Sequence, residues 1–284
     1  MGFGRSGSTL LEHLLYQKLG YLDLGEVKYF HQRVMLDNNL CTCNQESLNC
    51  PIWGSVAKNI SVNEAEYVAS NHDNYESSRN WVINTIRGAR KDKYYQHHEK
   101  VLDLLPLGHK IDASKMPSRL YFLRKFLNRK YDVSVIWLCR HPAGTAYSQL
   151  KTVNIPNTKK TSAMPRQPTW YSSLQIVLNN ILCCFTYFHF KNRTIVFYEN
   201  LVEDPDTNIE NIINSLKLKP APTKEKQHLF SGNPSYFNPS KKLKIKIDEK
   251  WRTYYSLPVQ KILAIPMILP RLVYIFEKLV TPKK

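Results

Sequence analysis

Residues 2–11 read Gly-Phe-Gly-Arg-Ser-Gly-Ser-Thr-Leu-Leu: three glycines, an arginine and three hydroxyl side chains directly ahead of an apolar, helix-like stretch. Such a composition builds a loop whose backbone N–H groups converge on an anion at a helix N-terminus, where the helix dipole favours negative charge. A phosphate-bearing ligand is the expectation. Gly2 to Gly7 also satisfy G-x-G-x-x-G, with Glu26 as a following acid, but only Met1 stands where a strand should precede that fingerprint. Gly2 to Thr9 nearly satisfy the P-loop pattern, with Ser8 where the phosphate-binding lysine belongs. That replacement argues against ATP or GTP hydrolysis. A turn whose glycines serve only the chain reversal is the remaining alternative.

The second group is Arg140-His141-Pro142 with Ser148 two helical turns on. An arginine at a strand end offers a planar fork to a phosphate, and the serine adds a neutral donor. Alone, Arg140 could equally pair with any carboxylate at a sheet edge. Three cysteines, Cys41, Cys43 and Cys50, are spaced C-x-C-x6-C ahead of Trp53. A structural zinc site needs four ligands and no fourth is adjacent, although His31 could be recruited. A disulfide from Cys50 to Cys41 or Cys43 is disfavoured in a reducing compartment. No metal is expected.

These pieces together resemble the sulfotransferases that use 3′-phosphoadenosine 5′-phosphosulfate (PAPS), of bacterial type and with features similar to the tyrosylprotein branch. Arg5-Ser6-Gly7-Ser8-Thr9 is similar to their 5′-phosphosulfate loop, and Arg140-x7-Ser148 to their 3′-phosphate motif. Phe197-Tyr198-Glu199-Asn200-Leu201 resembles the segment whose tyrosine lies near the nucleotide, though Tyr198 also fits as a core tyrosine. Ser231, in Ser-Gly-Asn-Pro, and Lys246, in the basic run Lys241–Arg252, match a serine and lysine that close over the nucleotide. Clustered lysines otherwise read as a solvated loop.

The resemblance implies sulfuryl transfer from PAPS to an acceptor hydroxyl or amine, without a metal. Arg5 and Lys115 would stabilise the leaving phosphate, and Glu26 would act as base, with His13, His31 and His141 in reserve. Glu26 reads alternatively as a surface carboxylate at a strand end. The family's Cys-rich segment makes the three cysteines a structural feature. The family's P-loop-like α/β fold implies a three-layer arrangement, a central parallel sheet flanked by helices. One domain over residues 1–284 is expected, lacking most of its first strand.

The elements that must position these groups alternate along the chain, as in a parallel sheet with covering helices. A helix is expected over Thr9–Leu19, a short strand over Tyr21–Leu24 and helices within Asn80–Leu105. The run Val133–Cys139 is β-branched and apolar on both faces, the pattern of a buried parallel strand. A helix over Ala143–Leu150, a loop over Asn154–Pro168, a helix over Trp170–Phe190 and a strand over Thr194–Tyr198 follow.

Composition sets the outer bounds. With 284 residues, 43% apolar, the chain is globular and not disordered. A formal charge of +17 points to anionic partners. The rival classes are a P-loop-type kinase, an NAD-dependent oxidoreductase, and a basic nucleic-acid- or glycan-binding protein; the ordered motifs stand against nucleic acid. No secretory signal is visible, so the expected location is cytoplasmic. The tail 257–284 reads as a packed helix pair or as a peripheral contact with an anionic membrane; its longest uncharged run is short for a span.

Overall fold

The computed structural model describes residues 1–88, 92–152, 166–222, 227–230, 245 and 248–280. The first helix, α1 (Ser8–Leu19), buries Leu11, Leu15 and Leu19, one apolar row at four-residue spacing. Gly20, in the left-handed region at φ 69°, ends it by donating to the Tyr16 carbonyl at 2.9 Å. Strand β1 (Leu22–Asp23) follows and pairs in parallel with β2 (Lys110–Ile111).

Between these strands lies a helical excursion. A 3-10 turn (Val27–Tyr29) runs into a π-helical stretch (Phe30–Leu36), followed by α2 (Trp53–Ala57), α3 (Val62–Glu76), α4 (Trp81–Ile86) and α5 (Lys93–Asp103). Ser61 and Glu64 form a capping box at the start of α3, and the Asp92 carboxylate accepts from the Tyr94 N–H at the start of α5. Phe30, Trp53, Tyr94, Tyr95 and Phe122 fill the core of this region.

Helix α6 (Pro117–Lys130) leads to β3 (Ser134–Cys139), and α7 (Pro142–Leu150) and α8 (Thr169–Tyr187) lead to β4 (Asn192–Phe197). Strands β3 and β4 are parallel, in register from Ser134 opposite Asn192 to Cys139 opposite Phe197. After β4 come α9 (Tyr198–Glu203), α10 (Pro205–Leu216), α11 (Lys250–Tyr254), α12 (Leu257–Ala264) and α13 (Ile268–Val280). Leu138 and Val196 pack toward α1 and α10, while Trp137, Cys139 and Ile195 pack toward Cys183 and Tyr187 of α8 and Val273 of α13. Helices thus cover both faces of this pair, and Cys139 and Cys183 are buried in its core.

The continuous central sheet expected from the sequence is not what the described residues form. They form two separate parallel pairs, β1–β2 and β3–β4. Met1 and Gly2 stand between them: Gly2 bridges Leu138 in parallel, Leu138 N–H donates to the Met1 carbonyl at 2.9 Å, and Gly2 N–H donates to the Lys115 carbonyl at 3.0 Å. Two residues bridge only one end of that position. Beside them a cavity of about 720 Å³ lies between β2 and β3, its walls including Leu15, Leu123 and Ile136. Neighbouring strands must approach to about 4.8 Å to pair, and this gap keeps the two pairs apart.

Candidate active site

The opening loop leaves the Met1–Gly2 bridge and turns through two left-handed residues, Arg5 at φ 68° and Gly7 at φ 89°. Gly7 is the N-cap of α1 and offers no side chain to cap it. The N–H groups of the first turn, on Ser8 and Thr9, therefore stand ready for an external acceptor, with the helix dipole behind them. Ser6 is buried. A β-carbon at position 7 would lie 2.3 Å from the Tyr198 ring, so this approach requires glycine for space as well as for backbone angle. Tyr198 is delivered by the end of β4, where α9 begins.

Arg140 follows the last residue of β3 and points back across this loop. One of its guanidinium nitrogens, Nη1, donates to the Arg5 carbonyl at 3.0 Å, and the guanidinium carbon sits 4.5 Å from the Tyr198 ring centroid. Arg5 Nε donates to Ser148 Oγ at 3.1 Å, so the second turn of α7 closes the ring of contacts. Helix α7 is started by Pro142 and capped by His141, whose Nδ1 accepts from the Ala143 N–H; the His141 ring stacks on Trp251 with centroids 4.3 Å apart.

The electrostatics suit an anion. Burial, and then the neighbouring Arg140, pull Arg5 below the ordinary arginine range. Two guanidiniums held side by side gain most from a ligand that carries negative charge. Arg140 Nη2 is buried and makes no hydrogen bond among the described residues; the Asp248 carboxylate stands 3.6 Å from it, beyond hydrogen-bond reach. Asp248 also holds Lys151 at 3.2 Å. Neither Asp248 nor Trp251 was singled out as a site residue, since each sits in the basic run Lys241–Arg252 with no spacing to mark it.

Glu26 and Lys115, expected in different roles, are in contact as an ion pair. Lys115 sits at φ 65° just before α6, and its carbonyl receives Gly2 N–H, which ties it to the start of the loop. Burial raises the Glu26 pKa, but Lys115, Lys28 and Arg33 together outweigh it and hold the carboxyl at about 2. Glu26 is not the surface carboxylate that the sequence left open. A pair of buried carboxyls was not foreseen. Glu12 of α1 and Asp23 of β1 are both buried, and burial, reinforced by Asp23, drives Glu12 well above the carboxylate range. Its one signal was an acid set between Leu11 and Leu15.

The reserve bases lie in other settings. His13 hydrogen-bonds Gln17 at 2.7 Å on α1. His31 is buried edge-on to His98 with ring centroids 5.0 Å apart, and burial lowers it to about 3. It is not the fourth partner of the cysteines. That place is taken by His228, whose ring nitrogen stands 3.2 Å from Cys50 Sγ. Ser231, Lys246 and most of the expected loop Asn154–Pro168 lie outside the described residues.

Arg5, Gly7, Arg140, Ser148 and Tyr198, scattered through the sequence, thus meet at one helix N-terminus beside a parallel strand pair. This is an α/β protein with two arginines gathered at a helix N-terminus. The profile of the Sulfotransferase family matches residues 1–222, and the chain belongs to that family. No curated protein and no solved structure matches it.

Proposed function

We propose that this sulfotransferase takes PAPS as its donor and transfers the sulfuryl group to an acceptor hydroxyl. The observation that carries the reading is Nη2 of Arg140, buried and without a hydrogen bond among the described residues, beside Arg5 and Ser148, which are hydrogen-bonded to each other. A guanidinium desolvated without a full set of partners favours a bound phosphate. PAPS supplies a sulfuryl group on a good leaving phosphate.

In this reading the loop from Arg5 to Thr9 binds the 5′ end, Arg140 and Ser148 bind the 3′-phosphate, and Tyr198 walls the nucleotide. Lys115 and Arg5 meet the negative charge that builds on the leaving oxygen as the sulfur–oxygen bond breaks. Glu26 takes the proton of the acceptor hydroxyl as the new oxygen–sulfur bond forms. The Ser231 and Lys246 segments would close over the nucleotide.

The location we propose is the cytoplasmic face of an anionic membrane. Helices α12 and α13 expose Leu257, Ile262, Ile268, Leu272, Phe276 and Leu279, with Lys261, Arg271 and Lys278 also exposed. The stretch Leu257–Val280 is long and apolar enough to cross a membrane, contrary to the sequence expectation. A 3-10 turn breaks it at Ile265–Met267, Asn180 hydrogen-bonds the Pro266 carbonyl, and Arg193 binds Glu277 at 2.8 Å. These ties favour a helix pair lying on a surface.

The deciding experiment is calorimetric binding of adenosine 3′,5′-bisphosphate beside AMP, ATP and NAD. Binding that requires the 3′-phosphate and is lost in Arg140→Ala supports the donor assignment. Equal or tighter binding of ATP with Mg²⁺ would instead support a kinase.

A further inference from the structure

A cluster of four donor atoms lies outside the candidate active site. The sulfurs of Cys41, Cys43 and Cys50 and a ring nitrogen of His228 all lie within 4.8 Å of one another. Cys50 Sγ is 3.2 Å and Cys41 Sγ 3.9 Å from His228 Nδ1. A tetrahedral zinc ion with Zn–S near ~2.3 Å and Zn–N near ~2.1 Å sets its ligand atoms roughly 3.5–3.8 Å apart. The observed separations bracket that spacing.

The backbone around the cluster is built to hold it. Cys41 N–H donates to the Gln45 carbonyl at 2.8 Å and Asn44 N–H to the Cys41 carbonyl at 2.9 Å, with Asn44 in the left-handed region at φ 64°. This is a tight knuckle that turns Cys41 and Cys43 toward one point. Leu40 and Glu46 bridge its base, and the 3-10 turn Ser47–Asn49 brings Cys50 round. The segment carrying His228 is clamped on the other side. Thr42 N–H donates to the Leu229 carbonyl and Leu229 N–H to Thr42 Oγ1, each at 2.9 Å. Trp53 Nε1 donates to the His228 carbonyl. Cys41, Cys50 and His228 are all buried.

We propose that Cys41, Cys43, Cys50 and His228 bind one zinc ion as a closed structural site. Three soft sulfur donors and one imidazole select zinc over magnesium or calcium, which prefer oxygen ligands. Four protein ligands leave no open position, so the ion takes no part in sulfuryl transfer. A disulfide between any two of the cysteines would leave the third sulfur and the His228 nitrogen converging on nothing. The ion pins the 41–50 knuckle to the 227–230 segment, and His228 N–H donates to the Asp23 carbonyl of β1, three residues before Glu26. Zinc therefore fixes the wall from which the Glu26 segment departs.

The test is metal analysis of the full-length chain, purified with a thiol reductant and without added metal. One zinc per chain is expected, released in step with modification of three thiols. Replacement by Co²⁺ should give thiolate-to-metal charge-transfer bands and the intense visible bands of a tetrahedral site. Cys43→Ser, at the half-buried member of the cluster, should abolish stoichiometric zinc, while Cys184→Ser on α8 should keep it. Should Cys43→Ser fail to fold, the wild-type cobalt spectrum and a fall in melting temperature on chelation carry the test. Folded protein without zinc that takes up neither Zn²⁺ nor Co²⁺ when reduced, or a disulfide within the cluster under reducing purification, overturns the proposal.

Discussion

Lys115 grips the Glu26 carboxylate, so the group proposed to stabilise the leaving oxygen also sets the basicity of the proposed base. With a pKa near 2, Glu26 is ionised at every working pH but is a poor proton acceptor while the pair holds. An anionic donor drawing Lys115 toward itself would release Glu26 and return its basicity at the moment it is needed. On the proposed mechanism, the pair would couple donor binding to base activation.

Lys115→Met tests that coupling. Without the lysine, burial is less opposed and the Glu26 pKa should rise. Wild-type kcat/KM should be flat on the acid side down to the limit of stability, whereas the variant should gain an acid limb that falls as pH drops. Glu26→Gln should lower kcat by about 10²–10⁴-fold, with affinity for adenosine 3′,5′-bisphosphate nearly unchanged. A Glu26→Gln enzyme keeping more than about a tenth of the rate would remove Glu26 from the base role.

Arg140 should be irreplaceable by lysine. Its fork binds the Arg5 carbonyl through Nη1 and leaves Nη2 for a ligand, a division that a single ammonium cannot reproduce. Arg140→Lys and Arg140→Ala should both weaken adenosine 3′,5′-bisphosphate binding by about 30-fold or more, in line with losing a charge-assisted hydrogen bond of about 2–3 kcal/mol. AMP binding should change far less, and calorimetry distinguishes the two.

Gly7 and Tyr198 should behave as a coupled pair. Gly7→Ala meets the tyrosine ring at 2.3 Å and adds a side chain at φ 89°. It should lose nucleotide binding and about 1–3 kcal/mol of stability. Tyr198→Ala alone should cost stability through its lost packing, yet in the double variant it should restore part of what Gly7→Ala removed. Additive losses in denaturant melts would show that the clash is relieved elsewhere.

How much of this was legible in the sequence follows physical lines. Buried parallel strands announce themselves as unbroken β-branched runs, so Val133–Cys139 and the start of α7 were readable to within a residue or two. Arg140 and Ser148 could be placed near one another because a strand end and a helical turn fix their spacing locally. Long-range meetings left no such mark. The Glu26–Lys115 contact and the pairing of His228 with Cys50 join residues 89 and 178 positions apart. The sheet was expected whole from the alternation of strands and helices and from the family resemblance. Among the described residues, Met1 and Gly2 alone stand between the two pairs.

Acid should destabilise the fold through two buried histidines. Burial lowers His31 to about 3 and pushes His98 well below its ordinary value, so both fold as neutral rings. Glu76 and Arg119 pack against His98, and burial raises the Glu76 carboxyl. In the unfolded chain these histidines protonate near ~6.5, so below that pH the unfolded state binds more protons and stability falls. Each should remove up to about 2 kcal/mol between pH 6.5 and 5. Glu12 acts in the opposite sense, since its raised pKa makes the folded state bind more protons above the ordinary carboxylate range. Glu12 and Glu76 therefore offset part of the acid loss that the two histidines cause. His98→Gln, though destabilising overall, should flatten the acid side.

Membrane contact should depend on the outer row of α13. Pro270 and Val273 face the core, whereas Leu272, Ile275, Phe276 and Leu279 face solvent, each more than half exposed. Apolar side chains in that position gain by entering the interface of a bilayer, and anionic lipid adds attraction for the nearby cations. Vesicles containing phosphatidylserine should sediment with the protein, neutral vesicles much less, and raised salt should weaken the binding. Leu272→Asp with Phe276→Asp should abolish sedimentation without moving the melting temperature by more than a few degrees, because both positions are exposed. Equal sedimentation of that double variant would place the contact elsewhere. The next face to test is then α8, where Trp170, Leu174 and Phe185 are also exposed.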